Sequence, residues 1–296
     1  MFDRLRAFHQ PTTTQAALRL FESERRAGGA GRFVAGGTDL VVEGDRSLRW
    51  LVDLTRLPLR YVKRRGGGWT IGATATMADL EHHAGLRRFA DGILAAAAGT
   101  AGSPQIRNMG TIGGNLANAS PACDLGPPLL ALDAVVVIAG RRGAGRRTVP
   151  LERFFKGGHR TALNGGLLVE VRLPAPPTPA GGRAAWSFQK LGRLQSDIAV
   201  VNAATGVALG RDGRCTWARI ALGAVAPTPF RARRAEALLV GRALDAAAIE
   251  AAAGRAALET RPVSDVRSSA EYRREMSRVL VSRALIACVE SLGRAG

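Results

Sequence analysis

The stretch TIGGNLANASPACD, residues 111–124, crowds two adjacent glycines, two asparagines, a serine, a proline and an aspartate into a segment of little side-chain bulk. That is more polarity than a core strand tolerates and more than a surface turn needs. A second stretch, FVAGGTDL at 33–40, shares the design: a short apolar strand that stops at Gly-Gly and is followed by small polar side chains. Glycine permits positive φ and lets a ligand approach bare backbone. Successive amide N–H groups then converge into an anion-binding concavity, reinforced where a helix begins. Thr38, Asp39 and Asn115 are placed to cap such a start or to hydrogen-bond a ligand. Strand–Gly–Gly alone is ordinary turn chemistry, but two copies, the second running into NASPACD, read as the halves of a clamp. Facing one another they would grip a diphosphate, so a dinucleotide is the natural ligand. Asp124 would then accept hydrogen bonds from ribose or ribityl hydroxyls.

The rest of the chain bounds this reading. Its 296 residues exceed the usual single-domain size, so two packed units are expected. A hydrophobic content of 46% with 22% charged residues suits a globular protein with a real core. The start, MFDRLRAFHQ, lacks the apolar run of a secretory signal. LLALDAVVVI is too short for a membrane helix and contains Asp133. The expected location is cytoplasmic, with no membrane span. Cys123, Cys215 and Cys288 lie far apart with no C-x-x-C pair, so they are read as reduced thiols. They are too few for a disulfide framework, a four-cysteine zinc site or an iron–sulfur cluster.

The net charge of +18 raises the question of nucleic acid. The basic residues are scattered, however, and aromatics make up only 5%. Lys63, Lys156 and Lys190 are the only lysines, so 39 of the 42 basic residues are arginine. That skew, with abundant alanine and glycine, reads as compositional bias rather than a nucleic-acid surface; an acidic protein partner is an equally good use for the surplus.

The first half alternates helical and strand patterns. TTTQAALRLFESERRAGG reads as a helix opened by threonine and closed by glycine. GRFVAGG, RWLVDLTRL and GGWTIGA read as strands, TMADLEHHAGLRRFA and GILAAAAGTAG as helices. GPPLLALDAVVVIAG reads as a short helix running into a buried strand, and LLVEVRLP as another strand. LPAPPTPAGGRA, residues 173–184, is the best boundary. Beyond it AAWSFQKLG, AVVNAATGVAL and TWARIALGAVA read as three strands, followed by three helices. The last helix is expected to bury a face of Tyr272, Met276, Val279, Leu280 and Ala284. Strands followed by helices point to a separate α+β unit.

No G-x-G-x-x-G opens a helix after a strand, no lysine sits in a P-loop and no G-x-S-x-G elbow exists. His82 and His83 are neighbours on a predicted helix and diverge, and His9 and His159 are isolated. No metal site and no acid–base catalytic residue is expected.

VAGGTDL, IGATATMADLE, QIRNMGTIGGNLANASPACDLGPPLLALDA, FFKGGHRTAL, FQKLGRLQSDIAVVNAA and GAVAPTPFRARRAEALLVGRAL occur in this order across nearly the whole chain. Together they resemble the medium, FAD-binding subunit of molybdenum-containing hydroxylases, the group of carbon monoxide dehydrogenase, xanthine dehydrogenase and aldehyde oxidoreductase. The resemblance implies an α+β fold: an FAD-binding domain of PCMH type over 1–176, with subdomains of about 1–57 and 58–176, then a C-terminal domain over 183–292 with a three-stranded antiparallel sheet and helices. It implies a first diphosphate loop of Ala35, Gly36, Gly37, Thr38, Asp39 and Leu40, and a second of Thr111, Ile112, Gly113, Gly114 and Asn115. Ser120 and Asp124 match positions along the flavin's polar chain, Leu168 a position beside the adenine, and Lys190 a lysine-bearing strand in which Gln189 could instead face the cofactor. The chain departs from the family pattern at Gly165-Gly166, where an acidic residue is common, and at Cys123, where serine or alanine is usual.

The implied activity is electron transfer through one non-covalent FAD. A large subunit would hold the molybdenum cofactor and a small one two [2Fe–2S] centres, in a dimer of heterotrimers. Two alternatives stay open on the residues alone. One is a stand-alone flavin reductase or oxidase of related fold; the other is a basic module using the loops for nucleotide phosphates.

Overall fold

In the computed structural model, which describes residues 4–141 and 144–294, the chain begins with β1 (Ala7–His9), α1 (Thr14–Ala27), β2 (Ala30–Val34), α2 (Thr38–Glu43) and β3 (Leu48–Asp53). Thr13 caps α1 by accepting from Ala16 N–H, and Gly28 at φ 96° ends it, as the sequence signals indicate. The three strands form a parallel sheet in the order β1-β3-β2. Trp50 and Val52 point into a core shared with Ala17 and Leu18 of α1, and Phe21 stacks on Phe33 with ring centroids 4.3 Å apart. The first glycine loop leaves the carboxyl end of β2, the end at which ligands bind in open α/β sheets.

The second unit carries β4 (Val62–Arg65), β5 (Gly68–Gly72), α3 (Met77–His82), α4 (Ala84–Arg88), a 3-10 turn (Phe89–Gly92), α5 (Ile93–Gly99), α6 (Pro104–Met109), α7 (Ile112–Asn118) and α8 (Gly126–Ala131). It continues through β6 (Val135–Ala139), β7 (Arg146–Pro150), α9 (Leu151–Phe154), β8 (Phe155–Gly157), β9 (Arg160–Thr161) and β10 (Leu167–Leu173). Five of its strands form an antiparallel sheet, β4-β5-β10-β6-β7, while β8 and β9 make a separate hairpin. Two expectations fail here. The single helix over 76–90 is broken: His83 is extended (φ −68°, ψ 112°), and its ring accepts from Leu86 N–H to start α4 anew. GTIGGN contains no strand. Thr111 makes one bridge to Thr76, and the Gly-Gly pair lies in the first turn of α7.

After an irregular proline-rich run come β11 (Arg183–Leu191), β12 (Val201–Leu209), β13 (Cys215–Gly223), β14 (Phe230–Arg231), α10 (Arg233–Leu239), α11 (Ala246–Leu258) and α12 (Ala270–Arg294). The sheet is antiparallel in chain order, with the two-residue β14 added to the three expected strands. Ala252, Ala253 and Ala256 of α11 and Leu280, Val281 and Leu285 of α12 share one core with Val201, Val207 and Ile220 of the sheet. The buried face of α12 differs from the expected one. Leu280 and Ala284 are buried, but Tyr272 is 48% exposed, and Arg273 takes the inward position. Arg273 is buried with both terminal nitrogens engaged: it donates to Val200 O (2.7 Å) and pairs with Asp265 (2.8 Å).

The opposite face of this sheet packs on α8, and charged groups cross the seam with one polarity. Arg219 and Arg231 both reach Asp133, and Arg233 reaches Glu152. Arg231 is also buried against Glu236, at 2.6 and 2.8 Å. Among the described residues, no helix is long and apolar enough to cross a membrane.

Removing one partner of a buried ion pair leaves an uncompensated charge, at a cost of about 3–5 kcal/mol. Arg231→Ala should therefore lower unfolding stability by about that much in urea titrations. Arg233→Ala, which breaks the exposed pair with Glu152, should cost about 0–1 kcal/mol. Equal losses in the two variants would contradict the reading of Arg231 as a buried arginine whose pair with Glu236 is desolvated.

Candidate functional site

The two glycine loops meet backbone to backbone. A Cβ built on Gly36 would overlap the carbonyl oxygen of Met109 and come within 3.0 Å of Gly110 N. One Cβ further along, on Gly110, would lie 3.5 Å from Thr38 Oγ1. Gly110 O in turn accepts from Met77 N–H, and Thr111 bridges Thr76, which pins the second loop to the start of α3. Loop from the parallel sheet and loop from the antiparallel unit thus become one surface.

The loops differ in what they offer. Gly37 is left-handed (φ 68°) and precedes α2 without a side-chain cap, contrary to the expectation that Thr38 or Asp39 caps it. Among the described residues the N–H groups of Gly37, Thr38 and Asp39 find no protein acceptor, because the first turn of a helix has none within the helix. In the second loop the cap is Thr111, not Asn115, and the amides are already used. Ile112 N–H donates to Ala75 O, Gly113 N–H to Ala73 O, Gly114 N–H to Thr111 Oγ1 and Asn115 N–H to Thr111 O. The second loop therefore offers bare surface rather than a nest of free donors. A Cβ on Gly114 would meet only Thr111 Oγ1, at 3.0 Å, so that face is open. Asn115 Oδ1 beside it is buried without a donor.

The mouth is fastened by groups the sequence reading passed over. Burial and the neighbouring Glu43 raise the pKa of the Asp39 carboxyl, and the Asn118 side chain, at the end of α7, opposes the rise. His159 Nδ1 lies 2.9 Å from Asn118 O. His159 sits at the tip of the β8–β9 hairpin, after Gly157 and Gly158, and all three have positive φ. The spacing between 39, 118 and 159 gives no local signal of this cluster.

The floor is the turn that follows α7. Ser120 Oγ accepts from Ala122 N–H, and Ser120 O from Cys123 N–H. Pro121 O accepts from Ala224 N–H at the end of β13. Asp124 is 9% exposed and does not cap α8, whose first flanking residue is Leu125 with no side-chain bond. Instead Asp124 Oδ1 lies 2.9 Å from Lys190 Nζ, while the directional hydrogen bond of that ammonium goes to Thr100 O at 2.8 Å. Burial raises the Asp124 pKa, and Lys190 and Asn202 oppose the rise. Of the two β11 side chains considered, Lys190 points at Asp124 while the Gln189 amide lies against Ser187. Leu40 is buried, and Leu168 lies in the core of the five-stranded sheet, opposite Ile138, rather than in this polar cluster. Two shallow cavities of about 320 and 220 Å³, at Arg242 and at Trp217, include no residue of either loop.

Free amides, a bare glycine face, an orphaned Asn115 carbonyl and a buried Lys–Asp pair suit an elongated ligand with an anionic centre and a hydroxyl-bearing arm. The fit is to a dinucleotide, and no His/Cys/Asp/Glu cluster among the described residues could hold a metal.

Comparison with known proteins agrees with that donor set. Residues 2–176 match the model of the family described as FAD binding domain in molybdopterin dehydrogenase, and residues 186–288 that of the CO dehydrogenase flavoprotein C-terminal domain. The carbon monoxide dehydrogenase medium chain of Hydrogenophaga pseudoflava is 34% identical over 286 residues, covering 94% of this chain and 95% of that one. A putative xanthine dehydrogenase FAD-binding subunit of Escherichia coli (strain K12) is 30% identical, with 99% of each chain covered. The solved carbon monoxide dehydrogenase from Hydrogenophaga pseudoflava superposes with a TM-score of 0.89 at 34% identity, over 98% of this chain and 99% of that one. Quinoline 2-oxidoreductase from Pseudomonas putida 86 does so at 0.88 and 28%, over 99% of each.

The glycine geometry separates two substitutions. Gly36→Ala should destabilise the protein by about 1–3 kcal/mol, since its Cβ overlaps backbone that cannot yield. Gly114→Ala should cost less than 1 kcal/mol, the usual helical preference for alanine offsetting the tight approach to Thr111. Thermal unfolding of the ligand-free protein checks both, and a Gly36→Ala variant as stable as wild type would contradict the contact between the loops.

Proposed function

Because the chain belongs to the FAD-binding family of molybdopterin dehydrogenases, we propose that it is the electron-transfer subunit of a molybdenum-containing hydroxylase complex. Its non-covalent FAD would be held between the two glycine loops and the Asp124–Lys190 pair. The observation that carries this is the meeting of the loops at Gly36 and Met109, which puts free amides and an open glycine face on one surface. The amides of Gly37, Thr38 and Asp39 would donate to the diphosphate, whose charge the α2 terminus also favours. Gly114 would admit it close to the backbone. Asn115, Ser120 and Asp124 would address the hydroxyl-bearing chain, and Leu168 the adenine side. Lys190 reaches the site from the C-terminal sheet, so both units are needed to complete it. When bound, FAD supplies the redox chemistry, and the protein supplies binding, orientation and electrostatics. Cys123 is no attachment point: burial pushes its thiol up to about 12, so it stays neutral.

Electrons would arrive from a small iron–sulfur subunit, itself served by a large molybdenum subunit, in a dimer of heterotrimers in the cytoplasm. Three buried, separate cysteines leave iron–sulfur clusters to another chain. The helix α6, next to the loops, buries none of its residues and shows Ile106 and Met109 to solvent, which suits a covering partner.

The purified chain should be yellow and release unmodified FAD on denaturation, with no mass adduct on the protein. Alone it should oxidise no purine, aldehyde or carbon monoxide, yet pass electrons from a reduced donor to an artificial acceptor. Substrate-dependent flavin reduction without partner subunits would favour a stand-alone flavoenzyme.

Gly114→Val should reduce bound FAD to a trace with near-native circular dichroism. The branched side chain fills the open face and displaces phosphate hydrogen bonds, charge-assisted ones being worth about 1.5–3 kcal/mol each. A fully yellow Gly114→Val protein would remove the second loop from the phosphate site.

A further inference from the structure

Asn202 is the second residue of the apolar strand β12, between Val201 and Ala203, and is wholly buried. It stands in a row across three strands, with Lys190 opposite on β11 and Gly223 opposite on β13. Directly opposed residues project to one face of a sheet. The amide of Asn202 and the ammonium of Lys190 therefore leave the sheet together, beneath the Ser120–Asp124 turn. Gly223 makes the room: a Cβ there would overlap Asn202 Oδ1 and press on Pro127.

The amide nitrogen of Asn202 donates to Cys123 O at 3.4 Å, the carbonyl of the peptide that leads into Asp124, and the same side chain favours the charged form of the Asp124 carboxyl. Its own Oδ1 is buried without a donor. A buried orphaned acceptor is destabilising compared with an apolar side chain of the same shape, so packing alone does not account for an amide at this position. What the amide does is hold one residue. The peptide that carries Asp124 is held from β12 by this amide, its carboxyl is paired from β11 by Lys190, and the thiol beside it is uncharged.

We propose that Asn202 is a positioning residue of the flavin site, fixing the Asp124 carboxyl beside Lys190 so that it stays an acceptor for the cofactor's hydroxyls. This rests on the reading that Asp124 lines the polar chain of FAD. Asn202 itself, having no exposed surface, acts through Asp124 rather than on the cofactor.

The test is a double-mutant cycle on FAD affinity, measured by quenching of flavin fluorescence as FAD is titrated into the apo form of the full chain, with apo melting temperatures alongside. Asn202→Ala should weaken binding about tenfold, the loss of the one hydrogen bond that holds the Asp124 peptide in place. Asp124→Asn should weaken it at least as much. The double variant should bind no more weakly than Asp124→Asn alone, because Asn202 has nothing left to position. A merely structural role for Asn202 would lower the apo melting temperature and give affinity losses that add, and that outcome overturns the proposal. Unchanged affinity in Asn202→Ala overturns it as well. Unchanged affinity in Asp124→Asn would instead remove the placement of the ribityl chain, and the proposal with it. If Asn202→Ala yields too little folded protein, Asn202→Ser in the same cycle carries the same expectations.

Discussion

The close approach of Gly36 to the Met109 carbonyl is the constraint from which the site follows. Two sheets of different construction, one parallel and one antiparallel, are joined there with no side chain between them. Any Cβ at residue 36 forces the loops apart, and with them the free amides of α2 and the open face of Gly114. Glycine at 113 serves the same end from the other side, since a Cβ there would crowd Ala73 O. The site is therefore made by absence of bulk at three positions, and its polar groups are arranged around that gap.

The C-terminal sheet closes the arrangement with charge. Lys190, Arg219, Arg231 and Arg233 all reach carboxylates of the preceding unit, at Asp124, Asp133 and Glu152. Only the first of these lies at the candidate site, and it is the most enclosed, with side-chain exposures of 6% and 12%. A buried pair of this kind adds little net stability but fixes geometry strongly when it is intact. Its place at the seam makes the proposed flavin site a property of both units rather than of the FAD-binding region alone.

Much of this was legible in the sequence because its signals are local. Thr13 and Gly28 mark the ends of α1, and the apolar runs AAWSFQKLG, AVVNAATGVAL and TWARIALGAVA mark β11 to β13. The glycine loops were visible as motifs, but their roles were not. Whether an amide is free depends on what lies across from it, and the carbonyls of Ala73 and Ala75 that occupy the second loop's donors are some forty residues away. The same limit hid Asn118, His159 and Asn202, whose partners are distant in the chain. It also misplaced the inward face of α12, since a buried Arg273 is intelligible only once Val200 O and Asp265 are in view. The arginine excess, read first as compositional bias, proves partly structural. Arg32, Arg60, Arg107 and Arg172 are each tied to a carboxylate within their own unit, and Arg141 to Glu22 of α1.

The central claim is that one diphosphate lies between the two loops with the hydroxyl-bearing chain over Asp124. The measurement that tests it most directly is a crystal structure of the chain with FAD bound. The account predicts phosphate oxygens within about 3 Å of the Gly37, Thr38 and Asp39 amides, with Gly114 facing the phosphates and the ribityl chain at Asp124 and Lys190. Diphosphate density away from both loops, or an FAD whose polar chain avoids Asp124, would contradict it.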